Sequence, residues 1–453
     1  MSNKRDMTVG NPVKIILTFA IPLFIGNIFQ QIYTVVDTMV AGHFLGDSAI
    51  AAIGATGALY GLIINLVWGL NSGFAIIITQ RFGAKDLAGL KKSIAATAIL
   101  DISFTVALTA LALVFLKPLM VLLNTPDSVF AQSYSYMFVI CAGMLGTILY
   151  DMFSAIMRSL GNSRTPLYVL IFCSILNVVL DILFVASFKM GVAGAALATI
   201  VSQIASGFIS GIYVLKNYAE LLPSFAKKED MPDAGLIKEM LTTGGAMSLM
   251  YSIVNVGSVI FQGATNTLGE TIITAHTAGE RIIGILMGPT STIMDASATF
   301  VGQNWGAGKV SRIKDSLKKT MFMELIWGII ATAIVYIFGG AIIQLMTGTK
   351  NPEIINLAVT NMRIVLPFFP VLGVLLVQRT ALQAMGQKVA PILSSVVEVL
   401  LRAFGAFVMV PHMGYMGVIL NTPLTWTTMT IFILLASVKF TKVSFRKPEA
   451  MLC

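Results

Sequence analysis

Long apolar runs follow one another along this chain with little between them, as in Ala95–Leu116 and Ile326–Ile343. Each matches the ~20 residues that a helix needs to cross a bilayer. In lipid the backbone polar groups must pair within the protein, which leaves helices or closed barrels. Barrel strands would alternate apolar and polar residues over ~10 positions, and these runs do not. Hydrophobic residues make up 56% of the chain and charged residues only 11%, against roughly a quarter charged in a soluble domain. The predicted fold class is all-α and integral to the membrane. Twelve transmembrane helices are expected, near residues 13–40, 50–79, 92–116, 130–157, 166–188, 191–215, 236–262, 271–301, 317–346, 354–382, 390–411 and 414–438. Lys4 and Arg5 precede the first run like the charged start of a signal peptide. The run is too long for one and lacks a small-residue cleavage site, so it reads as a permanent helix.

The placement of charge orients these spans. Basic residues gather in the N-terminal tail, in every loop from an even to an odd span, and in the C-terminal tail. Arg81, Lys85, Lys91 and Lys92 lie in one such loop, Arg158 and Arg164 in the next, and Lys309, Arg312, Lys314, Lys318 and Lys319 in a third. The opposite loops hold only Lys117, Lys189 and Lys350. By the positive-inside rule both termini are cytoplasmic. The same asymmetry accounts for the formal charge of +9 without a nucleic-acid partner. Cys141, Cys173 and Cys453 have no ligand or CxxC spacing, so no disulfide, metal or cofactor is expected.

The chain repeats itself. LGDSAIAA at 45–52 aligns with LGETIITA at 268–275, and QRFGAKD at 80–86 with QNWGAGK at 303–309, both 223 residues apart. Asp101 and Glu324 share that offset. Gly161 and Pro166 match Gly386 and Pro391 at 225, and GVAG at 191–194 matches GYMG at 414–417, again at 223. The expected organisation is an N-lobe over 1–215, a cytoplasmic linker over 216–235, a C-lobe over 236–438 and a tail over 439–453. Six spans per half make the repeats parallel, an arrangement suited to transporters that rock one bundle against the other.

Ionisable residues within spans are functional candidates. Asp37 in the first span follows Tyr33 by four residues and Gln30 by seven, so the three share a helical face. It is either a functional carboxylate or one that meets headgroup water. Asn177 and Asp181, four apart in the fifth span, form a second candidate. An amide oxygen beside a carboxylate suits a proton or a small hard cation, or else a structural hydrogen-bonded pair. If these two spans pack together, Asp37 and Asp181 become neighbours. The second half does not repeat this cluster: Ile260, Arg402 and Ala406 stand at the equivalent positions. Glu398 and Arg402, four apart, are expected to neutralise each other, with contact to substrate as the alternative. Asp295, Glu280 and Arg281 in the eighth span are ambiguous in the same way, and Asp151 is expected to meet Arg158 or a neighbouring helix. No GxxxxGK[ST], HExxH or nucleophile-elbow motif occurs, and His43, His276 and His412 are isolated. Neither ATP-driven transport nor enzymatic activity is expected.

VDT at 36–38, LGDSAIAAIG after it, QRFGAKD, RSLGNSRTP, NVVLD and GVAGAALAT occur in this order over nearly the whole chain. Together they resemble the multidrug and toxic compound extrusion (MATE) family. The resemblance implies a V-shaped bundle of two lobes and a monomer in a prokaryotic cytoplasmic membrane. It implies antiport of organic cations and amphipathic drugs against H+ or Na+, and hence antibiotic resistance. NVVLD with Tyr33 and Asp37 is similar to the prokaryotic DNA-damage-inducible branch. That likeness implies a cation site of Tyr33, Asp37, Asn177, Asp181 and Thr199. A substrate cavity would take Asn27, Gln30, Asn255, Asp295, Glu398 and Arg402. A flippase for a lipid-linked or amphipathic metabolite is the alternative, resting on Arg281, Arg363 and Arg402.

Overall fold

The structure, a computed structural model, describes residues 5–444. Lys4, Arg446, Lys447, Cys453 and the end of the expected tail lie outside the described residues. The first half of the chain forms α1 (Pro12–Leu45), α2 (Asp47–Gly83), α3 (Leu87–Leu122), α4 (Asp127–Ala142), α5 (Met144–Ser159), α6 (Arg164–Asp181) and α7 (Gly191–Asn217). The second half forms α8 (Ala234–Asn266), α9 (Glu270–Gly306), α10 (Val310–Thr347), α11 (Pro352–Val365), α12 (Phe369–Ala384), α13 (Val389–Phe404), α14 (Val410–Met413) and α15 (Tyr415–Ser444). No strand occurs among the described residues.

Among the described residues ten stretches are long and apolar enough to cross a membrane, and the pair α4–α5, bent by 48°, makes eleven. The remaining expected span, 271–301, lies in α9, a helix of 37 residues. Glu280, Arg281, Asp295 and a run of Thr and Ser lower its hydropathy. The expected span at 354–382 is two helices, α11 and α12, because Pro367 sits in the 3-10 turn Leu366–Phe368 between them. Helix α3 starts on Asp86, whose Oδ1 accepts from the Gly89 amide at 2.8 Å.

The repeat is written in the backbone as well. Gly46 and Gly269 precede α2 and α9 with φ of 81° and 94°. Gly161 and Gly386 share φ of 84° and 86°. A side chain strains such a backbone, which is why these glycines recur in both halves. A π-helix follows α6 at Ile182–Ser187 and another follows α13 at Gly405–Met409, again 223 residues on. Such wide turns cluster at functional sites.

The chain forms two compact units. The first comprises residues 1–6 and 21–248, the second residues 7–20 and 249–453. One division falls before α1, between residues 6 and 7, and the others inside α1 and α8, away from the linker at 216–235. In the first unit Leu236 and Met240 of α8 pack with Leu70, Phe74 and Leu100. Ser248 Oγ donates to the Leu66 carbonyl at 2.8 Å. Gly69 and Gly73 of α2 let α8 come this close: a Cβ on either would overlap the backbone of Ser248 or Gly244. Small residues serve this purpose where lipid removes the hydrophobic drive between helices. In the second unit Met7, Ile15, Ile16 and Phe19 are buried. The Met7 amide donates to Gln303 Oε1 at 2.9 Å, and Lys309 Nζ donates to the Thr8 carbonyl at 2.9 Å. The largest core, around Ile282, Val335, Met362, Leu372 and Ile433, also lies in this unit.

Candidate functional site

Helices α1, α6 and α7 of the first unit build the candidate site. Buried alanines at 195, 196 and 198 let α7 lie close to its neighbours. Asn177 and Asp181 project from one face of α6 and are 1% and 0% exposed. The Asn177 amide, oriented to satisfy its neighbours, donates to Asp181 Oδ2 at 2.9 Å and accepts from the Thr199 backbone at 3.1 Å. Thr199 Oγ1 donates to the Ala195 carbonyl at 3.1 Å and lies 3.4 Å from the Tyr33 hydroxyl. Tyr33 and Asp37 are one turn apart on α1. The Asp37 and Asp181 carboxyls lie within hydrogen-bonding reach of each other. Each keeps a buried Oδ1 with no donor. The structure therefore brings together all five residues named for the cation site.

Two carboxylates at this range in a poorly hydrated site repel unless a proton or cation lies between them. The oxygens beside the carboxyls are the Thr199 hydroxyl and the Tyr33 phenol; the Asn177 oxygen is turned to the Thr199 backbone, so its amide nitrogen, not its oxygen, faces Asp181. Tyr60 of α2 and Tyr136 of α4 also lie in the field of both Asp37 and its neighbours. Sequence reading passed over them, because a lone aromatic in an apolar run carries no signal.

Asp151 is placed near the Trp68 indole and Arg158, as well as Asp101. Glu324, equivalent to Asp101, is 1% exposed and accepts from Thr290 Oγ1 at 2.8 Å.

The residues named for a substrate cavity are distributed over both units. Asn27 and Gln30 are exposed on α1 in the first unit. Asn255 on α8 and Asp295 on α9 are exposed in the second. Glu398 and Arg402 correct an expectation. Among the described residues no ion pair joins them. The Arg402 guanidinium lies over the Phe261 ring, 5.1 Å from its centre, and Nη1 donates to Thr422 Oγ1 at 3.4 Å. Phe261 and Thr422 come from α8 and α15, so spacing within α13 could not reveal them. Glu280 accepts from Asn361 Nδ2 at 3.3 Å. Arg363 lies over Tyr336 and donates to its carbonyl at 3.1 Å. The contact of Arg402 with Thr422 mirrors that of Asn177 with Thr199, since the paired residues are equivalent in the repeat.

The model of the family described as MatE matches residues 22–183 and 246–408, one stretch in each half. A probable multidrug resistance protein YpnP of Bacillus subtilis is 27% identical over 383 residues, covering 84% of each chain. A probable multidrug resistance protein NorM of Thermotoga maritima is 24% identical over 419 residues, covering 89% of this chain and 87% of that one. A solved structure described as MATE in the bent conformation superposes with a TM-score of 0.91 at 20% identity, covering 98% of both chains. With the family model matched on both halves of the repeat, the protein belongs to the MatE family, and it is a multi-pass membrane transporter rather than an enzyme.

Proposed function

We propose that the protein exports drug-like amphipathic compounds across a prokaryotic cytoplasmic membrane in exchange for H+ or Na+, with both termini cytoplasmic. The ion is taken at Asp37 and Asp181. The observation that carries this reading is the pair of carboxyls within hydrogen-bonding reach, each with a buried oxygen that lacks a donor. The names of the relatives support drug-like substrates.

Ion binding draws α1 and α6 together by removing the repulsion between the carboxyls. Asn177 and Thr199 hold Asp181 so that this change falls on Asp37 and α1. Substrate and ion favour different arrangements, and exchange follows from that mutual exclusion. The one-sided cluster is also the basis of the likeness to the DNA-damage-inducible branch. A flippase has less support, since Arg363 is engaged by Tyr336 and does not join Arg281 or Arg402 in a basic lining.

Asp37→Asn and Asp181→Asn are expected to abolish drug resistance in a hypersensitive host at unchanged expression. Proteoliposomes with imposed pH or Na+ gradients identify the ion. Full resistance in both variants would overturn the mechanism.

A further inference from the structure

Asp101 and Asp151 are acids of the first unit that the ion site at Asp37 and Asp181 does not use, and packing brings them together. Ile78 of α2 and Ile94 of α3 share one core cluster with Met152 and Ile156 of α5. Asn71 lies seven residues before Ile78 and Asp101 seven after Ile94. Each therefore projects from the same helical face as its isoleucine, toward α5. Helix α5 runs opposite to α3: Ile156 clusters with Leu90 and Ile94, whereas Met144 and Ile148 cluster with Ala112 and Leu116. Asp151 falls between these levels, as Asp101 does, and Asp101 stands in its field. Along α2, Trp68 lies by Asp151 and the Ala75 carbonyl accepts from Ser159 Oγ at 3.2 Å. Asn71 sits one turn from each.

Asp101 is 4% exposed and Asn71 6%. Oδ2 of each acid is buried without a donor, and neither the oxygen nor the nitrogen of the Asn71 amide has a partner. Such groups are rare in folded proteins and costly. One proton answers all of them. Asp151 has the Trp68 indole and Arg158 nearby, so it is the acid that keeps its charge. A proton on Asp101 makes its Oδ2 a donor to Asn71 Oδ1. Asn71 Nδ2 then donates to Asp151 Oδ2. A metal cation would engage the amide oxygen alone and leave Nδ2 unanswered.

Other titratable groups around the three residues are few. Tyr60 on α2 lies in the field of both Asp151 and Asp37, and Tyr150 and Arg158 on α5 in that of Asp151. Helix α4 meets α3 near Leu116 and Met120, about four turns from Asp101. The linker meets α3 at its start, where Asp233 lies by Lys92. Glu239 of α8 pairs with Arg81 at 3.9 Å. The second unit lacks the arrangement. Met294 stands at the position of Asn71 and apolar residues 374–376 at that of Asp151. Glu324, equivalent to Asp101, takes the Thr290 hydroxyl instead.

We propose that Asp101, Asn71 and Asp151 form a proton-binding site in the first unit, distinct from Asp37 and Asp181. Buried acids in membrane spans commonly serve as proton relays. The inference goes beyond the export reading and does not depend on which ion Asp37 and Asp181 take.

The test is infrared difference spectroscopy of the purified full-length protein in detergent, titrated with pH. A buried carboxyl that takes up a proton gains a C=O stretching band. In a variant carrying both Asp37→Asn and Asp181→Asn such a band is expected to remain. Adding Asp101→Asn is expected to remove it, and Asp101→Glu, which keeps a carboxyl there, to move it. Wild type against Asp101→Asn alone is expected to show the same loss, which serves if the combined variants do not fold. Asn71→Leu is expected to keep the band at a shifted frequency, because the proton loses its amide acceptor. A titration identical with and without Asp101 would overturn the proposal. So would a carboxylate band that answers to NaCl at fixed pH instead of to pH, or an unmoved band in folded Asn71→Leu.

Discussion

Asn177→Ala isolates the part of the proposed ion site that is neither acid. The substitution removes the amide that donates to Asp181 Oδ2 at 2.9 Å and accepts from the Thr199 backbone at 3.1 Å. Asp37, Asp181, Tyr33 and the Thr199 hydroxyl all remain. A hydrogen bond to a charged group contributes about 1.5–3 kcal/mol, and about 1.4 kcal/mol is tenfold in affinity. The amide donates to Asp181 and favours its ionised form, so its loss is expected to ease proton uptake and to lower the H+ concentration for half-maximal exchange by one to two decades. The maximal rate at saturating ion is expected to change far less, because both carboxyls are still present. The assay is drug exchange in proteoliposomes at graded internal and external ion concentrations, with melting temperature as the folding control. An unchanged ion requirement in a folded variant refutes the role given to Asn177. A fall in maximal rate at the same ion requirement also refutes it.

Three further outcomes test the packing. Gly73→Val is expected to destabilise by about 1–3 kcal/mol through overlap with the Gly244 backbone. Gly54→Ala, with nothing within 4 Å, is expected to be neutral or mildly stabilising, and melting in detergent compares the two. Thr290→Val takes the hydroxyl donor from buried Glu324 and is expected to cost about 1–3 kcal/mol. Glu324→Gln in the same background is expected to restore most of the lost melting temperature. Asp86→Ala removes the α3 cap and is expected to cost about 1 kcal/mol, read as earlier melting.

Much of this architecture is legible in the sequence, for physical reasons. Lipid demands long apolar helices, and the charged loops between them are sorted by side. Duplication left turn glycines such as Gly46 and Gly269 where no other residue fits the backbone. The pairing of Asn177 with Asp181 follows from helical spacing, and the place of Asp37 beside them follows from how α1 packs. Contacts between helices distant in the chain are not legible in this way. Spacing within α13 suggests a Glu398–Arg402 pair, but Phe261 and Thr422, from other helices, draw the guanidinium away. Tyr60 and Tyr136 come into the field of Asp37 through folding alone. At Gly143, between α4 and α5, Ile200 of α7 fills the space a side chain would need, a contact no spacing along the chain reveals.

The division of the chain inside α1 and α8 bears on ancestry. Each unit takes the opening turns of its counterpart's first helix: residues 7–20 serve the second unit, and the start of α8 serves the first. A single-copy forebear with half of this sequence would own no complete unit. It would have to close its core as a pair of chains trading those turns. Joining two such chains in one polypeptide would make permanent an exchange that separate molecules would have to find by collision.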